Sequence, residues 1–153
     1  MALHEFPVRA ERTGWRDAEI SARHREWGFN CPAVDLDFLM VEYNLGKPVG
    51  LIEYKEHHAT APDLRHPTYR ALVELATLAG LPFLIAFYWP DVWAFRITPV
   101  NDAAGLTFKP NEVLSEREFV TRLYRMRALV IREVVLKQLN TTLPAGEFDD
   151  LPF

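Results

Sequence analysis

The sequence predicts an α/β fold in which helices pack on a mixed β-sheet. Two runs rich in apolar residues, 34–43 and 47–55, flank a turn-type tripeptide at 44–46, a pattern typical of a β-hairpin. A later run, residues 82–89, is continuously apolar, as expected of a strand that is covered on both faces. The segment between the hairpin and this run is long enough for a crossover helix, which parallel strands require. Together these features predict a mixed sheet flanked by helices.

Composition and length indicate one globular domain. The chain has 153 residues, of which 49% are apolar and 25% charged, as in ordinary soluble proteins. We expect a domain over residues 1–140 and an acidic tail over 141–153. No apolar run approaches the roughly 18 residues that span a bilayer, and the N-terminus lacks the features of a signal peptide. The lone Cys31 excludes an internal disulfide and a cysteine-cluster zinc site and fits a reducing compartment, so we expect a cytoplasmic protein without membrane contact.

The net charge of −4 does not by itself indicate nucleic-acid binding. Three of the acids, Glu147, Asp149 and Asp150, lie in the last seven residues, so the rest of the chain is close to neutral. Any contact with DNA is therefore expected to be a local patch.

The hairpin places acidic side chains opposite one another. A three-residue loop at 44–46 ends in glycine, which adopts the positive φ that such loops need. Pairing outward from this loop places Asp37 opposite Glu53 and Asp35 opposite Lys55. Alternation along the strands then puts all four side chains on one face of the hairpin.

Two opposed carboxylates need a compensating group. With Cβ atoms about 5 Å apart they repel by roughly 3 kcal/mol at an effective dielectric near 20. Protonation of one acid, a bound cation or solvent exposure relieves this repulsion. Mg²⁺ binds one or two carboxylates together with water and phosphate oxygens, so the hairpin has the composition of half a metal site. A solvated hairpin surface is the alternative.

Asp37 followed by apolar residues, with Glu53-Tyr54-Lys55 at the end of the next strand, resembles the PD-(D/E)XK nuclease superfamily. The resemblance implies a restriction-endonuclease-like α/β core in which Asp37 and Glu53 hold Mg²⁺ or Mn²⁺. It implies that Lys55 positions or activates the attacking water or stabilises charge on phosphate; near a cation, a lowered pKa would let it share in proton transfer. The expected activity is hydrolysis of phosphodiester bonds, in DNA of a prokaryote or phage. RNA as substrate and a dimeric state both stay open.

Three further side chains have accessory roles that stay open. Asp35 is either a second acidic ligand or, as we favour, a salt-bridge partner of Lys55. His57 follows the motif on the acidic face, where it contacts phosphate or a metal-bound water, or is simply solvated. His24 lies with Ile20 and Trp27 on the predicted inward stripe of a helix over 14–27, where it faces the site or has a structural role.

The middle of the chain alternates helix and strand. Pro67 suits the first position of a helix that ends at Ala79 before Gly80. The predicted buried face of this helix comprises Leu72, Val73, Ala76 and Ala79. No motif assigns a role to Tyr69 at its start. Residues 92–100 are expected to return as a strand and 101–114 to form a loop.

A capping box at residues 115–118 opens a last helix, predicted to reach residue 139. Its predicted core stripe comprises Phe119, Leu123, Met126, Val130 and Val134. Arg122, Arg125 and Arg132 fall on the opposite face and form the best candidate for a phosphate-contacting patch. An ordinary solvated helix face is the alternative.

The chain ends in acids followed by an apolar-Pro-Phe terminus. The segment Asp149-Asp150-Leu151-Pro152-Phe153 resembles the acidic tip of bacterial single-stranded DNA-binding proteins. The resemblance implies docking of the final Phe on genome-maintenance proteins that bind such tips. For the tail itself, packing of Phe148, Leu151 and Phe153 on the protein's own core, or a chance match, is the alternative. The alternative to a nuclease is therefore a catalytically inactive nuclease-like module that binds replication or repair partners through this tail.

Deletion of Pro152 and Phe153 tests this interpretation of the tail. We expect the truncated protein to lose binding to such a partner in a pull-down or titration, because the docked ring is removed. Equal binding by the full and truncated chains would contradict it.

Overall fold

The structure, a computed structural model, describes residues 18–27, 33–34 and 36–146. The elements are α1 Ala18–Glu26, β1 Phe38–Glu42, β2 Lys47–Glu56, α2 Pro67–Ala79, β3 Phe83–Trp89, β4 Ala94–Pro99, α3 Asp102–Gly105, β5 Glu112–Leu114, α4 Glu116–Met126 and α5 Glu133–Leu136. The strands form one sheet in the order β1-β2-β3-β4-β5. Among the described strands only β2 and β3 pair in parallel, so the predicted α/β class with a mixed sheet is confirmed.

The β1–β2 hairpin keeps the predicted register in its outer half. Phe38 pairs with Ile52, and the next two pairs follow in step. The predicted loop length is wrong by one residue, because Glu42 pairs with Lys47 and the turn spans 43–46. A bulge after Met40 absorbs this one-residue shift. Beyond the bulge, the pairing therefore runs toward Asp37 and Glu53 as the sequence predicted.

The sheet buries a different core on each face. On one face, α3 and α4 cover a cluster that includes Phe95, Phe108 and Phe119, and the rings of Phe95 and Phe119 stack with centroids 4.1 Å apart. On the other face, Leu72 of α2 packs with Leu51 and other apolar side chains. Because side chains alternate, Glu53 and Lys55 share the α2 face with Leu51.

Helix α2 has the predicted bounds. The backbone N–H of Thr68 donates to His66 Nδ1 at 3.2 Å, which caps the first turn. Gly80 ends the helix in the left-handed conformation with φ of 71°. Leu72 and Ala76 are buried as predicted, but Ala79 is exposed, so that part of the predicted buried face is wrong.

The prediction of one long last helix is wrong. Helix α4 ends at Met126, and Ala128 adopts a left-handed φ of 54° that turns the chain away from the helix axis. The backbone N–H of Leu129 then donates back to Tyr124 O at 2.9 Å, which closes the end of the helix. Val130, which is 92% exposed, and Val134 consequently lie outside the core.

Two other sequence predictions are also corrected. The expected loop at 101–114 contains α3 and the edge strand β5, and Asn101 organises it by accepting from the backbone N–H groups of Phe83 and Ala104. The expected inward stripe of α1 is wrong, because Ile20 and Trp27 are each about half exposed. The remainder of the helix predicted at 14–27, residues 14–17, lies outside the described residues.

Among the helices that the structure describes, none combines the length and the apolar character that crossing a membrane requires.

The stacked Phe95–Phe119 pair should dominate the stability of the α4 side. Phe119→Ala removes a side chain that is 2% exposed, so we expect a loss of about 3–5 kcal/mol in the free energy of unfolding. Val130→Ala is the matched control, with a change within about 0.5 kcal/mol. Urea denaturation followed by circular dichroism measures both, and similar losses for the two variants would contradict this packing.

Candidate functional site

A small cavity lies where the start of β1, the middle of β2 and the first turn of α2 meet. It encloses about 90 Å³, room for an ion with two or three waters. Its polar lining comes from Asp37, Glu53, Thr68 and Tyr69. The rest of the lining is apolar: Leu36, Phe38, Leu51, Ile52, Leu72 and Phe83.

The cavity brings together the two acids that the sequence pairs. Asp37 directly precedes β1 and is exposed, whereas the Glu53 side chain is only 12% exposed. Continuing the pairing of Phe38 with Ile52 by one step leads to Asp37 and Glu53. The hairpin register thus accounts for the appearance of both carboxylates in one lining.

Glu53 is held by two donors. Its Oε1 accepts from the Tyr69 hydroxyl at 2.6 Å and lies 2.6 Å from Lys55 Nζ. Lys55 is two residues further along β2 on the same face, and its side chain is 29% exposed. Both contacts fall on one oxygen, so the other carboxylate oxygen takes part in neither.

These contacts shift the proton affinities of the donors. The hydrogen bond to Glu53 raises the pKa of Lys55 and outweighs the opposing effect of partial burial. Burial raises the pKa of Tyr69, and its bond to Glu53 adds to that effect. At neutral pH the site therefore holds an ammonium and a neutral phenol. The lowered pKa of Lys55 expected beside a cation stays a prediction.

Sequence reasoning missed Tyr69. A crossover helix runs back along the sheet, so the first turn of α2 lies over the end of β2 that carries Glu53 and Lys55. The positive end of the helix dipole also favours carboxylates at this point. The sequence feature that could have identified Tyr69 is a polar aromatic residue in the first turn of a crossover helix.

Arg96 is a second cationic residue on this face that the sequence did not indicate. In register, Phe87 of β3 pairs with Lys55 on one side and with Arg96 of β4 on the other. The Arg96 guanidinium lies 4.4 Å from the Phe87 ring centroid, and its side chain is 5% exposed. Burial lowers the pKa of Arg96. Lys55 and Arg96 thus lie in register with each other, on either side of Phe87.

The accessory residues fall in different places. His24 is half-buried, its ring lies 5.0 Å from that of Trp27, and it is not among the cavity-lining residues. His57 is half-buried and stacks on Trp89, with ring centroids 5.2 Å apart. Asp35 and the tail residues Asp149, Asp150, Leu151, Pro152 and Phe153 lie outside the described residues.

The three arginines do not share one helix face, because α4 ends before Arg132. Arg122 is engaged by both carboxylate oxygens of Glu112, one of them at 2.6 Å, and this ion pair raises its pKa. Arg125 is exposed in the last turn of α4, and Arg132 is the residue that precedes α5. The continuous patch predicted on a single helix is therefore wrong.

Comparison with known protein families, with curated proteins and with solved structures found no match to this chain. The function proposed below accordingly depends on the geometry of the site.

The contacts of Glu53 predict how Lys55 titrates. Glu53→Gln should lower the pKa of Lys55, because the ion pair is lost while partial burial remains. Tyr69→Phe keeps the ion pair and should lower the pKa of Lys55 only slightly. Side-chain NMR of Lys55 measures both, and an unchanged pKa in the Gln variant would contradict the contact.

The same shift has a consequence for stability. The folded-state pKa of Lys55 lies above its ordinary value of 10.5, so the ion pair contributes stability below pH 10.5. That contribution should be lost as the pH rises through the raised pKa. Comparing denaturation of the wild type and Lys55→Met on both sides of this range tests it; a difference between the two proteins that does not shrink at high pH would contradict it.

Proposed function

We propose that this protein is a metal-dependent nuclease that hydrolyses phosphodiester bonds with Asp37, Glu53 and Lys55. The observation that supports the proposal most is the shared cavity of Asp37 and Glu53, with the Lys55 ammonium bound to Glu53. The PD-(D/E)XK core that the motif implies forms part of this proposal. The hairpin, the crossover helix and the next parallel strand are compatible with such a core.

The lining fits a hard divalent cation. Asp37 and Glu53 supply carboxylate oxygens, and the cavity has room for the waters that Mg²⁺ retains. When bound there, Mg²⁺ or Mn²⁺ would supply Lewis-acid stabilisation of charge on the phosphate. The donor set and the size of the cavity are therefore both suitable.

The side chains around the ion-binding acids have distinct roles in this proposal. Lys55 presents a protonated ammonium, which stabilises negative charge on a phosphate oxygen as the water–phosphorus bond forms and the bond to the leaving oxygen breaks. Tyr69 holds the Glu53 carboxylate in one orientation through a 2.6 Å hydrogen bond. Thr68 adds a second polar side chain from the first turn of α2 to the lining.

Cleavage assays with matched variants test this function. Wild-type protein with Mg²⁺ or Mn²⁺ should cut plasmid DNA, single-stranded DNA or RNA, and chelation should stop the reaction. Asp37→Asn, Glu53→Ala and Lys55→Ala should each lower the rate by at least about 100-fold, because each removes a group that contacts the ion or the phosphate.

Glu74→Ala is the control, because Glu74 is an exposed acid on α2 outside the cavity. Its cleavage rate should match the wild type. Absence of metal-dependent cutting on all three substrates would contradict the proposal and favour the inactive partner-binding module. Cutting that survives in both acid variants would contradict the assigned site.

A further inference from the structure

A second group of metal-binding side chains lies at the end of β2, outside the cavity. Glu56 is the last residue of the strand, and His57 and His58 follow it in a turn. Each offers one ligand atom, and these atoms all lie within 4.8 Å of one another. The proposed nuclease chemistry uses none of the three as a ligand.

The cluster is held in place by its surroundings. The His57 ring stacks on Trp89 with an interplanar angle of 21°, and its centroid lies 3.7 Å from that of His58. The backbone N–H of His58 donates to Glu56 Oε2 at 2.9 Å, which fixes the carboxylate. The donors are thus brought together by the chain before any ion binds.

Glu56 and His57 meet directly within the cluster. The buried His57 Nδ1 lies 2.5 Å from Glu56 Oε1. Metal ions bind imidazole and carboxylate groups in their deprotonated forms, so an ion would take the place of any proton shared at this contact.

We propose that Glu56, His57 and His58 bind a first-row divalent metal ion of the zinc class. Two imidazoles and one carboxylate form a donor set of zinc sites that keep a fourth position open. Ligand atoms about 2.0–2.2 Å from the ion stand roughly 3.4 Å apart in a tetrahedron, so atoms that are at most 4.8 Å apart need to approach one another by about 1.4 Å or less. Mg²⁺ prefers oxygen ligands and is the wrong ion for this set.

This site is separate from the acids of the proposed nuclease centre. Glu53 and Glu56 lie three residues apart on an extended strand, about 10 Å between their Cα atoms. Paired ions in two-metal phosphodiesterases lie about 3.5–4 Å apart. An ion bound by the two histidines would therefore be independent of one bound by the carboxylates of the cavity.

Titration of the full-length protein with Co²⁺, followed by visible absorption, tests the proposal, and calorimetry with Zn²⁺ gives the affinity. We expect the strong absorption of a four-coordinate site to saturate at one Co²⁺ per chain. His57→Ala and His58→Ala should each weaken binding by at least about 100-fold, since even supporting residues of metal sites cost about 10–100-fold. Glu56→Gln should also weaken it.

His24→Gln is the control for a histidine outside the cluster, and Glu53→Ala separates this site from the nuclease centre. Both should bind Co²⁺ as the wild type does, whether or not the protein cleaves DNA. Because His58 is exposed, its variant should remain folded, which circular dichroism checks. No saturable Co²⁺ binding, or unchanged affinity in the His58 variant, would overturn the proposal.

Discussion

Alternation of side chains along β2 is the constraint on which the rest of the site depends. Leu51 must face α2 to complete the core on that side, and this requirement directs Glu53 and Lys55 to the same face. Tyr54 faces the opposite core, where burial raises its pKa to about 12 and keeps its phenol neutral. A slip of one residue would exchange these environments and bury charged groups. The hydrophobic core therefore fixes the position of the polar motif.

The polar contacts at the site are better understood as positioning than as stabilisation. The ion pair between Glu53 and Lys55 is partly exposed, and such pairs contribute little net free energy of unfolding. Tyr69 adds a hydrogen bond that connects α2 to β2 across the cavity. Substitutions of these residues are therefore expected to reduce activity while the protein stays folded, so activity assays can test the site directly.

The sequence predicted those features that depend on local chemistry. Pro67 and Gly80 mark the two ends of α2, as the conformational preferences of proline and glycine predict. The strand pairing near Phe38 likewise follows from a short sequence pattern. The turn was one residue longer than predicted, but the bulge after Met40 compensated for it. The register therefore still leads to Asp37 and Glu53 as predicted, although the predicted loop length is wrong.

The features that the sequence did not predict depend on the backbone conformation of one residue or on contacts between separate segments. The helical periodicity of residues 115–139 continues past Met126, and only the left-handed Ala128 shows that α4 ends there. Glu112 engages Arg122 across ten residues, which no helical pattern indicates. Tyr69 likewise meets Glu53 only through the crossover of α2.

Localised binding of Mn²⁺ tests the central claim most directly. In the His58→Ala background, which disables the second site, Mn²⁺ should broaden the backbone NMR signals nearest Asp37 and Glu53 first. Glu53→Ala added to that background should abolish the effect. Saturating Mn²⁺ without broadening at these residues, or the same broadening after loss of the Glu53 carboxylate, would contradict the assignment of this cavity as a metal-dependent active site.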